Sequence, residues 1–302
     1  MADDLAIFSV GTSDGLLDRR LVGRVTERLG IDERVPLTLS GLKAVYSAWC
    51  ENVSFDNIRK LINLAKPGSP MPGLDPNDFF ESWLAHGCGG TCWPSSNALY
   101  ALLRSLGFDA RRVAASMFDL PMINHGTVKV RLDGEDWVVD TSMLTSSPLP
   151  MDRGIHVHDD ARVGVEVEPT DNSHVVWIDF VPLTAFVPCR LQIDPVDTSL
   201  YLERYEVFSR EFSPFNARLY LRKGGREGAS VILGSVRFSR TAGGLDVREF
   251  SRDELIAHLC NEVGISAELI DEWADLGWLE ASFDPSTQGI VPEILGLPPS
   301  RR

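Results

Sequence analysis

The chain has 302 residues, of which 44% are hydrophobic and 24% charged, a composition typical of globular proteins. Its net charge of −14 offers no basic face for duplex nucleic acid, so we expect no nucleic-acid partner. No run approaches the roughly 18 consecutive apolar residues of a membrane span. The acidic start lacks the basic and then apolar pattern of a secretory signal, so we expect a cytoplasmic protein without membrane association.

The first 87 residues are predicted to be mostly helical, because their apolar residues recur with helical spacing. Four helices are expected in this stretch, and the Lys66–Pro70 loop separates the third from the fourth. Their expected boundaries are a stop at Gly30, a cap at Thr38 or Ser40, a start near Phe55 and a start at Asp75.

A further helix is predicted directly after a glycine-rich run that contains Gly87, Gly89 and Gly90. Pro94 is tolerated in the first turn of a helix, and four leucines follow with the spacing of one buried stripe. Gly107 ends the pattern. Cys92 stands two residues before this predicted helix.

From residue 108 onward the pattern changes to short β-branched and aromatic runs, which predict an antiparallel meander or small barrel over about 110–195. Asp133-Gly134 is a strong signal for a tight hairpin turn. Residues 196–209 are predicted as a linker leading into a helix. Three strand-like runs and a helix from Ser251 to Gly264 follow, and the tail over 289–302 is expected to be irregular.

The five cysteines are odd in number and widely spaced, which argues against a disulfide framework. Cys88 and Cys92, with His86 beside them, form a weak zinc pattern, and His156 and His158 would have to complete the ligand set. We therefore expect no metal.

Cys92 is the candidate nucleophile. A thiol becomes reactive where its thiolate is favoured, as at a helix N-terminus or beside an imidazolium. The preceding glycines allow an acyl group to approach the backbone, whose amides could form an oxyanion hole. For the other cysteines outside this region a buried structural role is preferred: Cys50, Cys189 and Cys260.

His125 and Asp140 are the candidate partners of Cys92. His125 stands at the entry to one predicted strand, and Asp140 ends the next, across the Asp133-Gly134 turn. Counting outward from the turn, the two residues pair to within a residue or two. This placement suits an imidazole base whose second nitrogen is held by a carboxylate, so the three residues supply a nucleophile, a base and its orienting group.

At these residues the chain resembles the arylamine N-acetyltransferase family, and the similarity extends over most of its length. The family's V-P-F-E-N-L type element corresponds to residues 53–58 (VSFDNI), and its R-G-G-x-C motif to residues 88–92 (CGGTC). The Trp137–Asp140 stretch (WVVD) and, further along, Ser213-Pro214-Phe215 also match in order.

The resemblance implies an α+β fold with an N-terminal helical bundle (1–87), a central part with the catalytic helix and an antiparallel β-barrel (88–200), and a C-terminal α/β lid (201–302). It also implies ping-pong chemistry, in which Cys92 accepts an acyl group from acetyl-CoA or another acyl-CoA and passes it to a small-molecule amine. His125 and Asp140 take the roles of base and orienting group. The residues that bind the cofactor stay unassigned.

Three departures from the family pattern lie close to this site. Cys88 replaces the motif arginine, so Asp56 of the early element is expected to lack its usual partner. Residues 93–97 (WPSSN) differ from the family's aromatic-Glu-x-Asn run, and residues 141–144 (TSML) replace a Val-Gly-Phe-Gly type stretch. We expect altered substrate choice.

Other functions stay open at this point. One is an amide synthase of the macrolactam-forming kind that takes its acyl group from an acyl carrier protein, which would need a basic docking patch. Four residues are candidates for that patch: Arg111, Arg112, Lys129 and Arg131. Another is a transglutaminase-like cysteine hydrolase, since residues 90–113 also look transglutaminase-like. The last is a binding module without activity, which the retention of all three residue types argues against.

Overall fold

The N-terminal part of the molecule is mostly helical, as predicted. The computed structural model describes residues 16–287, apart from residues 67, 119, 153, 159–160, 168–173, 180–181, 183–185, 212, 225–227 and 242–243. The first elements are α1 (Arg19–Leu29), α2 (Leu39–Asn52), β1 (Phe55–Asp56), α3 (Ile58–Leu64) and α4 (Pro76–His86).

The ends of these helices follow from local capping. The side chains of Asp18, Thr38 and Asp75 accept hydrogen bonds from first-turn N–H groups, so Thr38 and not Ser40 is the cap of α2. Gly30 ends α1 in the left-handed conformation, which glycine adopts without a steric penalty. The predicted helix start near Phe55 is wrong, because Phe55 lies in a strand that pairs with the C-terminal part of the chain.

Helix α5 (Cys92–Ser105) lies at the centre of the molecule, and its residues from Cys92 to Ala98 are all buried. It packs against α4 and against strands of the larger sheet. Pro94 lies in its first turn, as predicted. Cys92 is the first helical residue, whereas the sequence predicts it two residues before the helix.

An antiparallel sheet of eight strands follows: β2 (Asp109–Met117), β3 (His125–Leu132), β4 (Glu135–Val139), β5 (Leu149–Pro150), β6 (Gly154–His158), β7 (Ala161–Val167), β8 (His174–Asp179) and β9 (Phe186–Ile193). The strand order is β5-β4-β3-β2-β9-β8-β7-β6. The end strands β5 and β6 do not pair with each other among the described residues, so the predicted barrel is an open half-barrel. Asp133 and Gly134 both have positive φ, as the predicted hairpin turn requires.

The C-terminal part begins with α6 (Thr198–Glu211), which confirms the helix expected after the linker. The strands β10 (Tyr220–Lys223), β11 (Ser230–Leu233), β12 (Val236–Thr241) and β13 (Gly244–Glu249) form a second sheet with β1, in the order β1-β10-β11-β12-β13. One predicted run is therefore two strands, which turn at Gly234.

Three helices follow the second sheet. Helix α7 (Arg252–His258) continues as a π-helical turn (Leu259–Val263) that ends at Gly264, as predicted. Helices α8 (Ala267–Asp275) and α9 (Trp278–Phe283) complete the described chain. The predicted irregular tail over 289–302 lies outside the described residues, and the three-part division of the chain remains a prediction.

The short strand β1 attaches the N-terminal helices to the C-terminal sheet, because Phe55 pairs with Arg222 and Asp56 with Leu221. Asn57 strengthens this junction. Its side chain donates to the carbonyl oxygens of Phe215 and Arg218 at 2.9 and 2.8 Å and accepts the Tyr220 N–H at 2.9 Å. The sequence element at 53–58 therefore holds a segment about 160 residues further along the chain. No helix in the described part is long and apolar enough to cross a membrane.

Candidate active site

Cys92 lies at the N-terminus of α5 with only 6% of its surface exposed. Thr91, the residue that precedes the helix, makes no side-chain capping bond. The first-turn N–H groups are therefore left without a side-chain acceptor, in a position where the positive end of a helix dipole favours negative charge. The sulfur lies 3.9 Å from the carbonyl oxygen of Asn124, which is the residue before β3.

His125 begins β3, opposite Ala115 of β2, and its side chain is 2% exposed. The Nε2 atom lies 2.6 Å from Oδ2 of Asp140. His125 also forms a side-chain hydrogen bond with Cys92. Because Nε2 is engaged by Asp140, Nδ1 is the ring nitrogen that remains for the sulfur.

Asp140 follows β4 directly, and its register explains how it reaches His125. Val139 pairs with Val128, so the next residue, Asp140, falls opposite residue 127, two positions from His125 on the same face of β3. The predicted neighbour relation of the two side chains is therefore confirmed. The other carboxylate oxygen, Oδ1, accepts the N–H groups of Ser142 and Met143 at 2.8 and 3.1 Å.

The electrostatics of the buried pair favour a protonated imidazole beside a carboxylate. Burial on its own lowers the pKa of His125, but the charge of Asp140 and the hydrogen bonds to Asp140 and Cys92 raise it from 6.5 to about 10. Burial would raise the pKa of Asp140, and the charge and hydrogen bond of His125 together with the backbone N–H groups hold it below its ordinary value. The arrangement can therefore take up a proton from the sulfur.

Close packing requires a glycine at position 89, three residues before Cys92. A Cβ atom on Gly89 would lie 1.8 Å from the carbonyl oxygen of Ser54, which no side chain permits. The N–H of Gly89 donates to Oδ2 of Asp56 at 2.7 Å. The close contact thus ties the loop before Cys92 to the early sequence element.

Asp56 is held by hydrogen bonds in place of the arginine that the family motif would supply. Its carboxylate accepts the Ser54 hydroxyl at 2.7 Å, the Gly89 N–H at 2.7 Å and the Ile58 N–H at 3.2 Å. Burial raises the pKa of Asp56, and these bonds oppose the rise. Cys88 is buried beside the Ser82 hydroxyl at 3.7 Å, so a small side chain and backbone donors occupy the place of an arginine ion pair.

Residues 141–144 support the pair in place of the glycine-containing stretch of the family. The Thr141 hydroxyl lies 3.0 Å from that of Ser96 on α5, which also donates to the Gly126 carbonyl at 2.7 Å. Leu144 adopts φ +48, a left-handed conformation that glycine would occupy with less strain. The backbone therefore keeps a shape suited to glycine at this position although the residue has changed.

Sequence reasoning missed several residues that hold the site together. Tyr201 of α6 donates its hydroxyl to the Trp93 carbonyl at 2.8 Å, and the two rings meet edge to face at 4.9 Å. Gly126 leaves room for this contact. Lys60 of α3 is also buried near Cys92. No sequence signal marked these residues, because each acts across more than 30 positions of the chain.

The four candidate residues of a basic docking patch do not form an open basic surface. Arg112 and Lys129 are buried, and Lys129 and Arg111 both pair with Asp194 and Asp136. Arg131 also contacts Asp136 at 3.1 Å. Asp136 and Asp194 therefore offset part of this positive charge, and Arg112 is held by Asn97 and Thr198 instead of facing solvent.

The weak zinc pattern has no structural counterpart in the described residues, where no cluster of three or more His, Cys, Asp or Glu side chains could hold a metal ion. His86 instead places Nδ1 2.9 Å from the hydroxyl of Ser266. The side chains of His156 and His158 lie outside the described set.

Comparison with known sequences finds relatives of the kind that the motifs suggest. A family model described as N-acetyltransferase matches residues 38–177. An arylamine N-acetyltransferase of Mycolicibacterium smegmatis is 25% identical over 145 residues, which cover 44% of this chain and 51% of that protein. A proansamycin X synthase of Amycolatopsis mediterranei (strain S699) is 35% identical over 72 residues, 22% of this chain and 28% of that protein. The aligned part spans about half of the first relative and less of the second.

Comparison with solved structures extends the likeness over more of the chain. The Mycobacterium marinum arylamine N-acetyltransferase in complex with CoA superposes with a TM-score of 0.74 at 17% identity. The match covers 87% of this chain and 98% of that one. At this identity the match establishes a shared fold.

Proposed function

We propose that the chain is a divergent member of the arylamine N-acetyltransferase family and that it is an N-acyltransferase that carries the acyl group on Cys92. The observation that supports this most directly is the buried Cys92–His125–Asp140 arrangement at a helix N-terminus. The acyl donor is an acyl-CoA thioester and the acceptor is the nitrogen of a small-molecule amine. No metal is needed for either step.

In the first half-reaction the Cys92 thiol passes its proton to Nδ1 of His125, and the sulfur attacks the thioester carbonyl. Asp140 holds Nε2 and stabilises the imidazolium that forms. The first-turn N–H groups of α5 offer donors to the developing oxyanion. The departing thiolate takes the proton from His125, which leaves an acyl thioester on Cys92.

In the second half-reaction the amine nitrogen attacks the acyl group on Cys92. His125 accepts the proton from the nitrogen, and the C–S bond breaks to give the amide and free Cys92. Because Cys92, His125 and Asp140 are each at least 94% buried, their side chains react away from bulk water. Exclusion of water favours transfer to the amine over hydrolysis of the thioester.

The proposal is tested by incubation of the protein with acetyl-CoA and longer acyl-CoA thioesters, followed by intact-mass analysis. We expect an acyl adduct on the wild type and none on Cys92→Ser. A matched Cys260→Ser variant, which changes a partly exposed cysteine elsewhere, should keep the adduct. An adduct that survives Cys92→Ser, or turnover of an amine acceptor by that variant at the wild-type rate, would show that Cys92 is not the acyl carrier.

An amide synthase that takes its acyl group from a carrier protein is the second candidate, because the chain also matches a proansamycin X synthase. The same mass assay separates the two. An adduct from a carrier-bound thioester, with none from any CoA thioester, favours the synthase. The pairing of Arg111 and Lys129 with Asp136 and Asp194 weakens this surface as a docking site for an acidic carrier.

A further inference from the structure

Lys60 is a buried lysine without a carboxylate partner in the part of the chain that the structure describes. It lies on α3, is 4% exposed, and its ammonium donates to the Ser213 hydroxyl at 2.6 Å. Its Nζ lies 6.0 Å from the centre of the Phe215 ring. An ammonium has three donors and a strong need for compensation when it is removed from water, so one hydroxyl leaves most of that need unmet.

The neighbouring charged groups do not compensate the ammonium of Lys60. Asp56 is committed to Ser54 and to two backbone N–H groups. The carboxylate of Asp78 is already paired with Arg59, at 3.0 Å on the surface. By contrast, Lys129, the other lysine buried to this degree, pairs with both Asp194 and Asp136. The position of Lys60 therefore suits the binding of an anion.

A small cleft opens beside Lys60 and reaches the start of α5. The residues on both sides of Cys92 form part of its wall. Its lining includes Asp56, Arg59, Lys60, Gly90, Thr91 and Pro94. A negative charge on Cys92 would raise the pKa of Lys60, so the two groups are electrostatically coupled. Lys60 and Thr91, the residue before Cys92, therefore line the same cleft.

We propose that Lys60 and Ser213 form a subsite for a carboxylate carried by one of the two substrates, beside the thioester at Cys92. This inference rests on the proposed acyl transfer and adds the chemical class of substrate. The carboxylate can belong to the acyl group, as in the half-thioester of a dicarboxylic acid, or to the amine, as in an aminobenzoate. In either case the carboxylate forms an ion pair with the Lys60 ammonium, which has no carboxylate partner among the described residues.

The junction between β1 and the C-terminal part fixes this subsite. Asn57 holds the carbonyl groups of Phe215 and Arg218, so the loop that carries Ser213 is set against α3. Burial lowers the pKa of Lys60 to about 7, and the charge of Cys92 opposes this effect. A bound carboxylate would favour the protonated ammonium, so binding and protonation reinforce each other.

The first test uses alkylation of Cys92, which does not require acyl transfer. Rates with anionic iodoacetate and neutral iodoacetamide are measured at pH 6.5 for the wild type, Lys60→Met, Lys60→Arg and the exposed-site control Lys43→Met. We expect the iodoacetate-to-iodoacetamide rate ratio at Cys92 to fall about tenfold in Lys60→Met, equivalent to about 1.4 kcal/mol. It should stay near wild type in Lys60→Arg and Lys43→Met. An unchanged ratio in Lys60→Met overturns the proposal.

The second test identifies which substrate carries the carboxylate. The kcat/KM values of succinyl-CoA against butyryl-CoA, and of 4-aminobenzoate against its methyl ester, are compared in the wild type and Lys60→Met. Loss of preference confined to the first pair assigns the carboxylate to the acyl group, and loss in the second pair assigns it to the amine. Equal loss for charged and neutral members of both pairs means a merely structural role for Lys60 and overturns the proposal.

If no CoA thioester acylates the wild type, the proposed function fails. The iodoacetate-to-iodoacetamide rate ratio still tests whether Lys60 binds a carboxylate, because alkylation does not require acyl transfer. If Lys60→Met does not fold, protection of wild-type Cys92 from iodoacetamide by benzoate is compared with protection by benzamide. Stronger protection by benzoate supports the subsite. Equal protection by the two, or none by either, overturns it.

Discussion

Replacement of Asp140 by asparagine is the sharpest perturbation of the candidate site. Asparagine keeps the shape of the side chain, and its carbonyl oxygen can still accept the Ser142 and Met143 N–H groups. Its amide nitrogen then faces Nε2 of His125, where the carboxylate oxygen lay at 2.6 Å. Because that amide is a donor, Nε2 must become the acceptor and the ring proton moves to Nδ1, which faces Cys92. His125 can then no longer take the proton of the thiol.

Two magnitudes follow from this change. Loss of the correct tautomer should lower acyl transfer by about four orders of magnitude, the size expected for a base held in the wrong tautomer. Loss of one partner of a buried ion pair should cost about 3 kcal/mol of unfolding free energy, at the low end of such effects because the backbone hydrogen bonds are kept. Both values refer to measurements near pH 6.

The pH dependence identifies the cause of the stability loss. The pKa of His125 is raised from 6.5 to about 10, so the stabilisation by its protonated form is complete below pH 6.5 and is lost as the pH rises through 10. The variant lacks this contribution at every pH. The difference in unfolding free energy between wild type and Asp140→Asn should therefore be largest near pH 6 and should shrink towards pH 10.

Urea unfolding at pH 6, 7.5, 9 and 10, together with the rate of Cys92 alkylation by iodoacetamide, measures both effects. Asp136→Asn is the matched control, because Asp136 lies on the preceding strand and pairs with Arg111 and Lys129 away from Cys92. It should leave the alkylation rate unchanged. A stability difference for Asp140→Asn that stays constant from pH 6 to 10, together with a wild-type alkylation rate, would refute the reasoning.

Two further substitutions probe the packing around the site. Gly126→Ala would place a Cβ atom 2.4 Å from the Tyr201 hydroxyl oxygen and 2.9 Å from the Trp93 ring, so we expect a loss of about 2 kcal/mol of unfolding free energy and reduced acyl transfer. In its control, Gly23→Ala, the new Cβ meets only the end of the Glu33 side chain and the helix gains a better helix former, so thermal unfolding should show no loss of stability. Cys88→Arg, which reinstates the family residue, should destabilise by about 2 kcal/mol in urea unfolding because the site is full and Asp56 is already satisfied. A Cys88→Arg variant as stable as the wild type would show that the space around residue 88 accommodates an arginine paired with Asp56.

The parts of the fold that could be predicted from the sequence are those determined by local signals. Glycine stops, polar caps and the Asp133-Gly134 turn gave most helix ends and the hairpin, and the hairpin in turn brought His125 and Asp140 together. Phe55 was assigned to a helix because its strand has two residues and its partner lies more than 160 positions away. Periodicity within a short window carries no information about such a partner.

The same distinction applies to the surroundings of Cys92. The motif residues were visible because they stand in a recognisable order, whereas Lys60 and Tyr201 carry no local pattern. A lysine in a helix is ordinarily a solvated residue. Only the folded chain shows that it is enclosed by the Ser213 loop.

The attachment of residues 55–57 to residues 215–222 also sets an order of events during synthesis. A ribosome that adds about 5–20 residues per second completes the segment with Cys92, His125 and Asp140 on the order of ten seconds before it reaches Tyr220. During that interval Asn57 has no carbonyl partners and the ammonium of Lys60 has no hydroxyl to hold it. Cys92 and His125 can thus meet in a nascent chain that still lacks one wall of the cleft, and that wall is the last part of the candidate site to be assembled.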